Sequence, residues 1–126
     1  MKKLQKIRNL KFSGQSACCY YCGQPMWCEN PSRFAKGYGL TLRQARYLQA
    51  TAEHLVARCD GGGDVEDNIV ATCRFCNDHR HRAKRPLAPE AYASKVQSRL
   101  SQGRWHGLRL GDGKVSCPVT PANAGA

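Results

Sequence analysis

The chain is poor in acidic residues and in large apolar residues. Its 126 residues include 9 Asp and Glu against 20 Lys and Arg, which gives a formal net charge of +11. Leu, Ile, Val and Phe make up about one sixth of the chain, below the roughly 20% at which a highly charged sequence begins to resemble a disordered one. These shortages exclude a large self-sufficient core and an enzyme of several domains.

The chain also lacks long apolar runs. No segment approaches the roughly 18 consecutive apolar residues of a membrane span. The first 16 residues, MKKLQKIRNLKFSGQS, are basic but contain no apolar stretch of about 7–15 residues, so they do not resemble a secretory signal. We therefore expect no membrane partner and a cytoplasmic, reducing location, where disulfides are disfavoured.

Cysteine, in contrast, is abundant, with eight residues in this small chain. Under reducing conditions we expect metal ligands or free thiols. Two CxxC pairs stand far apart in the sequence, and together they can supply four thiolates to a tetrahedral zinc ion. The predicted ligands of this structural Zn²⁺ are Cys19, Cys22, Cys73 and Cys76. A metal staple of this kind would offset the small core.

The other four cysteines are less clearly placed. Cys18 could replace Cys19 with one extra residue of spacing, although the glycine directly after Cys22 suits a tight turn around Cys19. The remaining three have no partner at ligand spacing, and we expect them to be buried or free thiols: Cys28, Cys59 and Cys117.

Turn residues and short apolar runs predict the order of elements. We expect a helix at 41–50, a strand at 51–57, a glycine loop at 58–67, a strand at 68–73, a helix from 73 to before Pro86, and a helix at 89–101. Residues 30–32, Asn-Pro-Ser, predict a loop. The chain then divides into a basic, partly helical N-terminal arm (1–16), a central domain (17–85), and a C-terminal helix with a flexible tail (86–126).

The strand–loop–strand–helix order of the central domain carries a recognisable pattern. The segment AEHLVARCDGGGDVEDNIVATCRFCNDHRH contains an acid–His pair at 53–54, three glycines at 61–63, Asn68 fourteen residues after His54, and a CxxC followed directly by Asn77. It resembles the HNH endonuclease motif of ββα-metal nucleases. Glu53 stands where the family more often has Asp, and Asn77 where it more often has His. The resemblance covers about residues 19–82.

The resemblance implies a role for each residue of the motif. His54 would be the general base that takes a proton from water, for which the near-neutral basicity of imidazole is suited. The side-chain carbonyl of Asn68 would hold the other ring nitrogen of His54. Three side chains would bind one catalytic Mg²⁺ or Mn²⁺: Glu53, Asn77 and His81.

The resemblance also implies a fold and a function. The fold would be α+β, a small zinc-stapled ββα-metal nuclease with additional helices and flexible basic termini. The function would be metal-dependent hydrolysis of DNA phosphodiester bonds in a bacterial or phage-infected cell, with RNA left open as a substrate. Double-strand cutting from one active site would favour a homodimer. The alternatives are a non-catalytic zinc-stapled module that binds nucleic acid, and a structural zinc domain that binds protein.

Two groups of basic residues are the candidates for contact with DNA phosphates. Such contacts give affinity and salt dependence without sequence selectivity. One group closes the helix of the motif: Arg80, Arg82, Lys84 and Arg85. The other lies on the N-terminal arm: Lys2, Lys3, Lys6, Arg8 and Lys11.

Overall fold

The computed structural model describes residues 1–110, and no helix in this range is long and apolar enough to cross a membrane. The elements in chain order are α1 (Lys3–Gly14), α2 (Pro31–Tyr38), α3 (Leu42–Tyr47), β1 (Ala50–His54), β2 (Ile69–Cys73), α4 (Arg74–His81) and α5 (Pro89–Ser101). Two short 3₁₀ turns, Arg58–Asp60 and Glu66–Asn68, lie in the loop between the strands. The fold is therefore a mixture of helices and a small sheet, as the sequence predicted.

The hairpin of β1 and β2 organises the domain. The strands pair antiparallel, with Ala50 opposite Cys73 and His54 opposite Ile69. Every residue of β2 is buried, whereas β1 is buried only at Ala50 and Glu53. Helix α4 starts directly after β2 and contacts both strands, which completes the predicted ββα unit. Cys73 caps this helix, because its Sγ accepts from the backbone N–H of Cys76 (3.4 Å).

The residues predicted as a basic arm form α1, which packs against the hairpin. Ile7 is its buried apolar anchor. Just beyond the helix, the side-chain amide of Gln15 bonds to the backbone of Ala71 in β2. It donates to the carbonyl oxygen (2.8 Å) and accepts from the N–H (2.9 Å). These contacts join the segment to the sheet.

Helix α2 occupies the segment that the sequence predicted as a loop. The Asn30 side chain accepts from the backbone N–H of Arg33 (2.9 Å), and Pro31 is the first helical residue. Asn followed by Pro is a helix-start signal as well as a turn signal, because the ring of Pro already has a helical φ. The helix ends at Gly39, whose φ of 69° is left-handed.

The C-terminal part is more closely packed than predicted. Helix α5 buries Tyr92, Ala93 and Val96, and the ring of Tyr92 makes an edge contact with Tyr21 (centroids 4.8 Å apart). The sequence predicted a loose tail beyond about residue 103, yet Leu108 is buried in the same core. The rest of the predicted tail, 111–126 with Cys117, lies outside the described residues.

Candidate metal centre and active site

Four cysteine thiols meet in the core beneath the hairpin. Their sulfur atoms all lie within 4.8 Å of one another, and those of Cys22 and Cys73 are 3.9 Å apart. Sulfurs about 2.3 Å from a tetrahedral zinc ion would be separated by about 3.8 Å, so the cluster fits zinc. The set is the predicted one, and it contains Cys19 rather than Cys18: Cys19, Cys22, Cys73 and Cys76.

The backbone around Cys19 is arranged for a thiolate. Its Sγ accepts from the N–H groups of Tyr21 (3.4 Å), Cys22 (3.5 Å) and Cys73 (3.2 Å). Burial alone would raise the pKa of the Cys19 thiol, but hydrogen bonds from the other three thiols outweigh it and hold that pKa well below its usual range. Gly23, with φ 74°, lets the chain turn back at this knuckle.

The segment after α5 covers the thiol cluster. The indole N–H of Trp105 donates to Cys76 Sγ (3.3 Å), and His106 Nε2 lies 3.5 Å from Cys22 Sγ. Burial lowers the pKa of His106 to about 4, so the ring is neutral at neutral pH. Groups that contact metal ligands in this way orient the ligands and tune the metal site. The other free thiols differ, since Cys28 is half-buried and Cys59 is exposed.

Glu53 is a buried carboxylate with three partners. Only 1% of its surface is exposed. Its Oε2 accepts from the hydroxyl of Tyr21 (3.2 Å) and the guanidinium of Arg80 (2.8 Å). Its Oε1 lies 2.7 Å from Nε2 of His81, one of the predicted metal ligands. Burial, together with the charge of Glu53, raises the pKa of Tyr21, so its hydroxyl remains a donor.

Arg80 lies inside the domain, which corrects its placement among the phosphate contacts. Its guanidinium donates to Glu53 and also to the backbone carbonyls of His54 (3.1 Å), Leu55 (3.3 Å) and Leu87 (3.1 Å). A buried carboxylate needs a charged partner, and Arg80 supplies it. The residue therefore joins α4 to the end of β1 and to the segment before α5.

Asn77 and His81 are four residues apart on α4 and so share one face of the helix. The amide nitrogen of Asn77 donates to Thr51 Oγ1 (3.0 Å) and, at 3.4 Å, to the carbonyl of Ala52. Its amide oxygen has no hydrogen-bond partner within residues 1–110. The predicted ligand set thus offers a carboxylate oxygen and an imidazole nitrogen in contact, with an amide one turn away. Oxygen and nitrogen donors of these kinds are ligands of divalent metal ions in proteins.

His54 ends β1, and its partner was not predicted from the sequence. Its Nε2 lies 2.7 Å from Oδ1 of Asp64 in the interstrand loop. Asp64 is also held by Arg58, whose Nε and Nη2 each lie 3.1 Å from a carboxylate oxygen. The histidine side chain is only 15% exposed. The site therefore contains a carboxylate–histidine pair that joins the interstrand loop to the end of β1.

Asn68 does not contact the ring of His54, which corrects the predicted contact. Its Oδ1 accepts from the N–H of Val56 (2.8 Å), and its Nδ2 donates to the carbonyls of Val56 (2.9 Å) and Gly63 (3.1 Å). Asn68 therefore ties the two ends of the loop together. The same loop requires Gly62, because a Cβ there would lie 1.8 Å from the carbonyl oxygen of Val56.

The remaining basic candidates surround the hairpin. Exposed residues are Lys2, Lys3 and Lys6 on the N-terminal side and Arg82, Lys84 and Arg85 after α4, while Arg8 and Lys11 are half-buried. Lys2 and Arg8 line a groove along β1 that also includes Arg74, a cation that the sequence analysis did not select. Lys3 and Lys6 line a second groove beside residues 65–67 of the interstrand loop.

Comparison with known proteins supports the motif. The family model for HNH endonuclease matches residues 39–83, a segment that contains β1, the interstrand loop, β2 and α4. Neither the curated proteins nor the solved structures gave a significant match. The first CxxC pair lies upstream of the matched segment and reaches it through the thiol cluster. Residues 39–83 of this chain are therefore similar to the HNH endonuclease family, in agreement with the resemblance seen in the sequence.

Proposed function

We propose that this chain is a metal-dependent endonuclease that hydrolyses DNA phosphodiester bonds. The observation that carries the proposal is the end of β1. There two adjacent residues each make a short contact: Glu53 with His81, and His54 with Asp64. A structural zinc module needs neither pair, whereas hydrolysis needs both a general base and a cation site.

In this mechanism His54 takes the proton from the attacking water. Asp64 occupies its Nε2, so Nδ1 is the nitrogen that would accept the proton. Glu53, Asn77 and His81 would hold one Mg²⁺ or Mn²⁺, which supplies Lewis-acid stabilisation of the charge that develops on the phosphate and the leaving 3′ oxygen. Tyr21 and Arg80 donate hydrogen bonds to Oε2 of Glu53 and so hold its carboxylate in one orientation. The products expected from the family are 5′-phosphate and 3′-hydroxyl ends.

The charge of the surface supports nucleic acid as the substrate. Exposed cations stand on both sides of the hairpin, on α1 and after α4, and they would contact phosphates without reading the base sequence. We place the enzyme in the cytoplasm, where such a substrate is accessible. Because residues 1–110 contain one such site, cutting both strands of a duplex with it would require a homodimer or two successive nicks.

A second function is favoured by one observation. Glu53 is almost completely buried and already has three hydrogen-bond partners. These are also the properties of a carboxylate with a purely structural role. The chain would then be a zinc-stapled module that binds nucleic acid without cutting it. The two functions differ in whether the bound metal changes the nucleic acid covalently.

A plasmid assay tests the proposed activity. Zinc-loaded protein is expected to convert supercoiled plasmid to relaxed or linear DNA when Mg²⁺ or Mn²⁺ is added, and to leave it intact without added metal. EDTA should also stop cleavage, and the zinc content of the protein is measured in parallel to separate loss of the catalytic metal from loss of zinc. Binding of the plasmid without cleavage under any divalent metal would support the second function.

Arg80 and Arg82 form a matched pair that separates folding from DNA contact. Arg80→Ala leaves Glu53 buried without its cation, so we expect a loss of about 3–5 kcal/mol in the free energy of unfolding, measured with urea. Arg82→Ala removes an exposed cation, and we expect a stability change within about 0.5 kcal/mol. DNA binding by this second variant should weaken, with a salt slope smaller by about one. Unchanged stability of Arg80→Ala would contradict the structural assignment.

A further inference from the structure

We infer that Asp64 is a positioning residue for His54: it fixes the imidazole in the tautomer that leaves Nδ1 free to act as the base. This inference rests on the proposed nuclease function for its catalytic consequence. Its structural content, the tautomer of one histidine, does not depend on cleavage and can be measured separately.

The tautomer follows from hydrogen-bond chemistry. An ionised carboxylate has only acceptor sites, so the 2.7 Å contact with Asp64 requires the proton to be on Nε2 of His54. A neutral imidazole then carries its lone pair on Nδ1. Within residues 1–110, Nδ1 has no hydrogen-bond partner. The nitrogen that is left open is therefore the one that can accept a proton from water.

The charge on Asp64 is maintained by its surroundings. The hydrogen bond with His54, and after it those with Arg58, hold the pKa of this carboxyl group below its usual range. The guanidinium of Arg58 contacts both carboxylate oxygens and so also fixes the plane of the carboxylate. Asp64 can thus be an acceptor at any pH at which a histidine base is neutral.

The loop places Asp64 within reach of the ring. Asp64 follows Gly63 directly, and the carbonyl of Gly63 is bonded to the side chain of Asn68, which also holds Val56 at the other end of the loop. Gly62 permits the close approach to Val56 on which this closure depends. Gly62 and Asn68 together hold the loop that carries the orienting carboxylate.

Asp64 can be changed without unfolding the domain. Its carboxylate lies at the surface, and its ion pair with Arg58 is exposed on both sides. Exposed ion pairs add little to stability. Loss of activity in a variant at this position would therefore not be explained by loss of the fold, and the thermal midpoint of unfolding provides the check.

The kinetic test compares Asp64→Asn with Asp60→Asn, which removes the same charge from an exposed loop residue that does not contact His54. We expect Asp64→Asn to lower kcat roughly 10- to 100-fold with little change in KM, the usual effect of losing a group that orients a functional histidine. Asp60→Asn should cleave like wild type. In a His54→Ala background, Asp64→Asn should cause no further loss, because it acts through that ring. Wild-type kcat in Asp64→Asn, or a full additional loss in the double variant, would overturn the inference.

The spectroscopic test reads the tautomer directly. Two-bond ¹H–¹⁵N correlation spectra of the histidine rings, assigned with His54→Ala, should show His54 with its proton on Nε2 in the wild type and a mixed or reversed tautomer in Asp64→Asn. A wild-type proton on Nδ1 would refute the inference even if the enzyme cleaves DNA. If no cleavage occurs under any metal, the proposed function fails, while the tautomer still decides the role of Asp64.

Discussion

His54→Ala is expected to lower the rate of DNA cleavage about 10²–10⁴-fold, the range attributed to a general base. His54 is the proposed base because Asp64 occupies its Nε2, which leaves Nδ1 free to accept a proton from water. Zinc content, DNA affinity and the thermal midpoint should remain those of the wild type. Cleavage is measured at saturating DNA, so that a change in binding does not enter the rate.

His79→Ala is the matched control for this variant. His79 also lies on the ββα unit, but its ring stacks on Phe75 (centroids 3.9 Å apart) and its Nδ1 bonds to the carbonyl of the same residue. It has no part in the proposed chemistry, so its replacement should leave the rate at saturating DNA unchanged. Equal rates for wild type and His54→Ala would show that the base has been assigned to the wrong residue.

Loss of the thiol cluster is expected to unfold the domain. Cys73 is fully buried and caps α4. Its sulfur lies 3.9 Å from that of Cys22, and its backbone N–H donates to the sulfur of Cys19 (3.2 Å). Binding of structural zinc contributes about 10–16 kcal/mol in small zinc domains, as much as the whole stability of a typical folded domain, about 5–15 kcal/mol. Cys73→Ser should therefore lose its zinc and most of its helical circular-dichroism signal.

Cys59→Ser provides the comparison, because Cys59 is an exposed free thiol far from any ligand spacing. It should retain full zinc and a wild-type unfolding transition. Chelation of zinc from the wild-type protein should reproduce the unfolding of Cys73→Ser. A Cys73→Ser protein that remains folded with one equivalent of zinc would contradict the assignment of this residue as a ligand.

Local spacing explains what could be predicted from the sequence. A CxxC pair forms its knuckle within four residues, and two such pairs have few uses other than a shared metal, so the thiol cluster was predictable. The hairpin and α4 were predictable because glycines and short apolar runs mark their limits. The proximity of Glu53 to His81 followed from the order of these elements.

Tertiary contacts explain what could not be predicted. A run of arginines at the end of a helix indicates a charged surface, and nothing local shows that Arg80 turns inward to pair with a buried Glu53. Asp64 is one of several acids in a glycine loop, and only the closed loop brings it to His54. Asn68 bonds to the loop backbone instead of the predicted partner, His54, for the same reason: its partners depend on how the loop folds back.

The side-chain amide of Gln15 covers part of one outer edge of the two-stranded sheet. A two-stranded sheet has two outer edges, and free backbone groups along an edge can recruit a strand from another chain. At the middle of β2, both outward groups of Ala71 are taken by Gln15, and across the hairpin the carbonyl of Ala52 receives the amide of Asn77. The side-chain amides of Gln15 and Asn77 therefore occupy backbone hydrogen-bonding positions that a third and a fourth strand would otherwise fill. They cover part of each edge of the β1–β2 hairpin without extending the sheet, which disfavours edge-to-edge aggregation.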